Sequence, residues 1–313
     1  MGRWFLSASG RGVAACVSVA LLAGACSSGL GTNGSNSPGT IIAVGAENQY
    51  ANVIAQIGGR FVKVTAILSN PNTDPHSFEA SPSVAGVVSS ARLIVQNGLG
   101  YDTFMNTIEA ASPNSRRKVI DVQTTLGLPA STPNPHLWYS PRTMQEVAKL
   151  IAEDLSTVDG ARSVYFEKNL RQFDRSLAPW LHALAQFRAQ YRGIPVATTE
   201  PVADYMLEAA GADNKTPLTL QADIMNGVDP APEDITLEDG LLAGRKVKVL
   251  LYNEQVTDSI TQSFLGLAKK HGIPVVAVYE TMPTPGYNYQ TWMLAEVRAL
   301  DKAVSQKAST ERL

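Results

Sequence analysis

Cysteine is almost absent from this sequence: the 313 residues hold two, Cys16 and Cys26, both near the start. Disulfides therefore cannot brace the body of the chain, whose stability has to come from buried apolar surface. The scarcity of thiolates disfavours Cu(I) and iron–sulfur clusters for the same reason. Charge of one sign is missing as well, since 26 Lys and Arg against 28 Asp and Glu leave a formal charge of -2 with no block of either sign. That pattern lacks the electrostatic footprint of a nucleic-acid or anionic-lipid binder. Histidine is scarce, four residues without a cluster. No helix-borne His-Glu-x-x-His and no activated nucleophile emerges, which removes the usual signatures of a secreted hydrolase.

What is present begins at the N-terminus. Arg3 and Arg11 flank the start, and residues 12–25 (GVAACVSVALLAGA) are apolar and small, a secretory h-region too short to span a bilayer. The run ends in Leu21-Leu22-Ala23-Gly24-Ala25-Cys26, similar to the bacterial lipobox in which the cysteine thiol carries the lipid, with Ala23 where Leu or Val is usual. Cys16 follows Val13-Ala14-Ala15, a better local match, but too few apolar residues precede it to form an h-region. Residues 1–26 are thus expected to be a signal peptide with Cys26 as its lipidated anchor. Ordinary cleavage at the Ala-x-Ala-like site would instead release a secreted protein, and both routes export the chain. Residues 27–39, rich in Gly, Ser and Asn, suit a flexible tether.

The remaining length favours two domains. β-branched runs at residues 41–44, 62–68, 93–96 and 119–122 alternate with helical patterns such as 49–57 and 84–91, which argues for a parallel sheet. Phe166, Leu170, Phe173, Leu177, Trp180, Leu184, Phe187 and Tyr191 then recur at steps of four and three, the spacing of one amphipathic helix about 45 Å long at roughly 1.5 Å per residue. Pro179 should bend it, and Gly193-Ile194-Pro195 ends it. Strand patterns resume at 195–199, 247–252 and 274–279, with helices starting near Val202, Pro232, Ser259 and Asn288. The fold class expected is α/β: two lobes at residues 40–160 and 193–313, each a mostly parallel sheet flanked by helices, joined by one long rigid α-helix at 161–192. A ligand would sit between the lobes.

In open α/β sheets, binding groups gather beyond the carboxyl ends of the strands. Four metal-capable residues follow predicted strands. His76 lies in Asn70-Pro71-Asn72-Thr73-Asp74-Pro75-His76-Ser77-Phe78-Glu79, His136 in Asn134-Pro135-His136-Leu137-Trp138, and Glu200 and Glu280 directly follow strands of the second half. These two motifs, together with the division of the chain by a long helix, resemble the metal-binding receptors of bacterial zinc and manganese ABC importers over about residues 40–305. The resemblance implies one ligand at each of His76, His136, Glu200 and Glu280. It also implies a function: an extracytoplasmic, monomeric solute-binding lipoprotein that captures a divalent transition metal and delivers it to a membrane permease. Glu200 stands where zinc-type members often have His, and Glu280 where Asp is common.

Two neutral imidazoles and two carboxylates cancel the charge of a divalent cation. Because carboxylates bind through one or two oxygens, this set of four residues can reach the five or six bonds that suit Mn²⁺, whereas Zn²⁺ is satisfied by four and sits higher in the affinity order. The missing histidine-rich loop disfavours zinc.

Structural roles compete at each position. His76 or His136 could pack or hydrogen-bond backbone, Glu200 before Pro201 could serve a helix start, and Glu280 could be a solvated rim charge with Asp258 or Glu254 taking its place. Asp74 and Glu79 could orient His76 or cap its turn, while His182 and His271 read as surface residues. Two rival functions remain: a secreted metallohydrolase with an open coordination position, and an adhesin or receptor for chelated iron, haem or cobalamin.

Overall fold

The β-branched runs become strands and the amphipathic stretches become helices. In chain order the elements are β1 (Ile41–Glu47), α1 (Asn48–Gly58), β2 (Val62–Leu68), α2 (Pro82–Ser90), β3 (Leu93–Gln96), α3 (Thr103–Ala111), β4 (Lys118–Asp121), α4 (Val122–Thr125), α5 (Thr143–Val158), α6 (Ser163–Ser176) and α7 (Ala178–Tyr191). They continue as β5 (Pro195–Thr198), α8 (Asp204–Ala210), β6 (Asp213–Asn214), α9 (Leu218–Met225), α10 (Pro232–Ala243), β7 (Leu250–Asn253), α11 (Ser259–Lys270), β8 (Val275–Val278) and α12 (Tyr289–Gln306). This computed structural model describes residues 39–70, 78 and 80–313. The expected anchor Cys26, the expected ligand His76 and its neighbours Asp74 and Glu79 lie outside the described residues.

Two four-stranded sheets result, ordered β2-β1-β3-β4 and β6-β5-β7-β8. Every strand pairing in them is parallel. Parallel pairing requires a crossover between strands, and the crossover helices cover both faces, which is why β3, β7 and β8 are buried along their whole length. Each strand order reverses once, between β1 and β3 in the first sheet and between β5 and β7 in the second. The crevice beyond the strand ends at such a reversal is where ligand groups collect.

The single long helix expected at 161–192 is two helices instead. Pro179 has no N–H to give the preceding turn, so α6 stops at Ser176 and α7 starts at Ala178, while Leu177 between them keeps right-handed helical angles (φ −75°, ψ −19°). Leu177 N donates to Asp174 O at 3.3 Å and Leu181 N to Leu177 O at 3.1 Å, so the chain bends without unwinding. The predicted stripe is buried at Phe166, Phe173, Leu177, Trp180, Leu184 and Phe187. α6 packs on α1 and α5, α7 on α8 and α12, and the two segments thus lie on different sheets' helices. Tyr289 of α12 meets the Phe173 ring at 6.5 Å and the Trp180 ring edge-on at 5.8 Å, clamping the bend from the side. Among the described residues no helix is long and apolar enough to cross a membrane.

Candidate metal centre

His136 is carried on the segment after α4, just ahead of a short 3₁₀ turn at Leu137–Tyr139, and is fully buried. Its ring meets those of Tyr101 and Trp138 edge-on, at 5.9 and 5.4 Å. The hydrogen bonds around it decide its tautomer. Asn134 Nδ2 donates to Pro201 O at 2.7 Å, which leaves Asn134 Oδ1 as the acceptor facing His136. That oxygen receives His136 N at 3.0 Å and stands 2.8 Å from His136 Nδ1, so Nδ1 carries the proton and Nε2 presents a lone pair. The lone pair points at Glu280 Oε2, 3.2 Å away across 144 residues of chain. Two acceptors cannot attract each other, and a proton or a cation has to lie between them.

Glu280 follows β8 and is fully buried, which removes its reading as a solvated rim charge. Tyr101 donates to Glu280 Oε2 at 2.9 Å and Asn253 Nδ2 to Glu280 Oε1 at 2.8 Å. The backbone at Glu280 is held from both sheets. Gln255 Oε1 accepts the N–H groups of Glu280 and Thr281 at 2.6 and 2.8 Å, Gln49 donates to Glu280 O at 3.3 Å, and Asn48 binds both Met282 N (2.9 Å) and Met282 O (2.8 Å). Glu200 follows β5 and is 2% exposed. Because α8 begins only at Asp204, Glu200 is not a helix-start carboxylate; its Oε1 accepts Asn253 Nδ2 at 3.1 Å. Thus Glu280 faces His136 directly and shares the Asn253 amide with Glu200. Among the described residues no group of three or more His, Cys, Asp or Glu stands close enough together to hold a metal ion.

The competing residues are engaged elsewhere. Glu254 pairs with Arg312 at 2.8 Å, and Asp258 caps α11 through Thr261 N at 2.7 Å. His271 is the C-cap of α11, and His182 lines a groove between α7 and α12 with Asp301 and Arg298.

Four functional groups went unread in the sequence. Glu47 closes β1, three residues beyond the strand end expected, and it therefore escaped a search of strand termini. It is 1% exposed, and its carboxyl lies against that of Asp102. Burial first, then the Asp102 charge, pushes Glu47 well above the usual carboxylate range. Burial also lifts Asp102 to about 6, against donors Asn97 N at 2.6 Å and Gly98 N at 3.0 Å. Tyr101 and Asn253, being neither imidazole nor carboxylate, were outside a search for ligands.

The fourth is Glu296, buried in α12 with its carboxyl pushed up to about 8 by burial. Its Oε1 accepts Trp292 Nε1 at 2.9 Å and stands 3.2 Å from the Tyr139 hydroxyl. That hydroxyl is also placed to donate to Tyr279 O at 2.8 Å and accepts Tyr279 N at 3.2 Å. Tyr139 trails His136 by three residues and Tyr279 immediately precedes Glu280, so this network ties the His136 and Glu280 segments together.

The chain matches the family described as zinc-uptake complex component A, periplasmic, over residues 44–303. It is 25% identical over 278 residues to the metal ABC transporter substrate-binding lipoprotein FimA of Streptococcus parasanguinis, covering 83% of this chain and 85% of the relative. It is also 25% identical over 276 residues to the manganese ABC transporter substrate-binding lipoprotein PsaA of Streptococcus pneumoniae, covering 83% and 86%. The fold superposes on the periplasmic zinc-binding protein TroA of Treponema pallidum with a TM-score of 0.71 at 18% identity, over 86% of this chain and 100% of that one.

Proposed function

The chain belongs to the zinc-uptake complex component A family, a family of substrate-binding components and not of enzymes, and from that premise we propose that it captures one divalent transition metal outside the cytoplasmic membrane and hands it to an ABC permease. The cargo is Mn²⁺ or Zn²⁺, and the ligands are His76, His136, Glu200 and Glu280, one pair from each lobe. The lobes run over residues 40–160 and 193–313, with the bent helical strap between them. Cys26 carries the lipid, and residues 27–39 tether the receptor, a monomer, to the membrane.

The observation that carries the reading is the acceptor pair at the centre of the cleft. His136 Nε2 and Glu280 Oε2, fully buried and 3.2 Å apart, point electron pairs at one another. A cation entering between them replaces a shared proton with a charge that both groups bind, while Asn134 keeps the imidazole in the tautomer that ligation needs. Glu200 completes the charge balance, so that two imidazoles and two carboxylates neutralise a divalent ion in a site closed to water.

Titrating the metal-stripped protein with Mn²⁺ and with Zn²⁺, while following bound stoichiometry and melting temperature, tests this. One equivalent with a large upward shift is expected, since ligation of the native state alone raises stability by mass action. Glu280→Ala and Glu200→Ala should each weaken binding by more than about a hundredfold, beyond the usual effect of residues behind the ligands, with the metal-free melting temperature retained. Unchanged affinity in both variants removes the ligand assignment. No shift with either metal in the parent protein returns the chain to chelate binding or adhesion.

A further inference from the structure

β7 lies between β5 and β8 in its sheet, so its last residue, Asn253, stands between the two strand ends that bear Glu200 and Glu280. Asn253 is fully buried. Its single amide nitrogen has two hydrogens, and the geometry gives one to each acid: Glu200 Oε1 at 3.1 Å and Glu280 Oε1 at 2.8 Å. Asn253 Oδ1 accepts Gln255 N at 3.0 Å. The reversed amide would set its oxygen against two carboxylates and its NH₂ against an N–H, so this orientation is the only one that satisfies every partner. The backbone N–H of Asn253 donates to Thr199 Oγ1 at 3.1 Å, which ties the strut to the residue before Glu200.

We propose that Asn253 is a positioning residue that sets the separation of Glu200 and Glu280 and thereby weights the receptor toward Mn²⁺ over Zn²⁺, an inference that rests on both glutamates being metal ligands. Two carboxylates in a water-poor cleft repel each other, and a single rigid side chain donating to both holds them at one spacing. Tyr101 holds the other oxygen of Glu280 from the opposite sheet. A cation entering the cleft would meet the two acids at that spacing. Mn²⁺ favours five or six bonds, which two imidazoles reach only when at least one of the acids binds through both oxygens. Zn²⁺ is satisfied by one oxygen from each acid and two imidazole nitrogens, and it tolerates a looser pair.

The test is competitive titration of the metal-stripped full protein with Mn²⁺ and Zn²⁺ for Asn253→Leu, which keeps the shape and removes both donors. Groups behind metal ligands typically govern affinity by ten- to hundredfold. Mn²⁺ affinity should fall by about tenfold more than Zn²⁺ affinity, and the electron paramagnetic resonance spectrum of bound Mn²⁺ should change. Asn253→Ser, whose hydroxyl reaches at most one glutamate, repeats the measurement should the leucine variant fold poorly, and its ratio should move in the same direction. A parental Mn²⁺ to Zn²⁺ ratio in the folded variants, with Glu280→Ala still abolishing binding, overturns the role of Asn253 and leaves the receptor reading intact. A parent protein that binds neither metal overturns both.

Discussion

The two sheets share one strand order, second, first, third, fourth, yet they bring the residues proposed as ligands to the cleft in different ways. In the second sheet each carboxylate follows its strand almost at once: Glu200 after β5, which ends at Thr198, and Glu280 after β8, which ends at Val278. In the first, the imidazole of His136 arrives only after β4, α4 and a further stretch of loop. A strand end fixes a short acid through the sheet's own hydrogen bonds. A loop-borne ring needs partners of its own, and here Asn134 supplies them while the rings of Tyr101 and Trp138 wall it in. Each sheet thus uses one asparagine, Asn253 as a strut between acids and Asn134 as an anchor for an imidazole.

The sharpest way to separate these two asparagines is to remove the anchor. Asn134→Leu takes away the acceptor for both His136 N and Nδ1–H, and metal affinity should fall by about ten- to hundredfold. Because Mn²⁺ and Zn²⁺ both bind an imidazole nitrogen, competition titration should show the two affinities falling together, unlike the change of ratio expected at Asn253. Parental affinity in this variant would mean that ring packing alone holds His136, and the contrast between a braced loop and a rigid strand end would collapse.

A smaller effect probes the network that joins the His136 and Glu280 segments. Glu296 has its carboxyl raised from an ordinary 4.5 to about 8 by burial, so the stability it adds is complete below about 4.5 and is lost as pH rises through about 8. The metal-free protein should therefore melt lower at pH 9 than at pH 5. Asp102, Asp204 and Glu238, lifted by burial to about 6, 6 and 7, act in the same direction, so the informative quantity is the difference between parent and variant. Glu296→Gln is neutral at every pH and keeps an acceptor for Tyr139. It should flatten part of the decline and melt on the order of a few degrees above the parent at pH 9. Identical slopes for parent and variant would show that Glu296 does not titrate over this range.

Much of this was legible in the residues and some was not, for physical reasons. Fully buried strands such as Leu93–Gln96 stand out because parallel strands covered on both faces are nearly continuous apolar runs. The two-residue β6 has no such signature. The stripe from Phe166 to Phe187 marked the helical stretch and Pro179 its bend, but not that two helices would result, because the side-chain period persists through the bend. His136, Glu200 and Glu280 were found by combining strand ends with metal-capable chemistry. Glu47 was missed because β-branched content falls off before the strand itself ends, and Asn253 and Tyr101 because a residue that acts by donating to a ligand has no ligand chemistry of its own.

The smallest effects belong to the loop after β7, and they decide whether the second sheet contributes Glu280 or a neighbour. Asp258 accepts Thr261 N at 2.7 Å and donates its own N–H to Thr261 Oγ1 at 2.9 Å, a reciprocal cap on α11. Asp258→Ala should cost about 1 kcal/mol of stability, the usual value of an N-cap. Glu254 pairs with Arg312, whose side chain is 83% exposed, so Glu254→Ala should change stability by less than about 1 kcal/mol. Neither variant should alter metal affinity, because both side chains are spent on the fold of their own segment while the Glu280 carboxylate faces His136. A loss of tenfold or more in either would move the fourth ligand into this loop. It would also mean that the second sheet delivers its acid as the first delivers its imidazole, on a loop and not from a strand end.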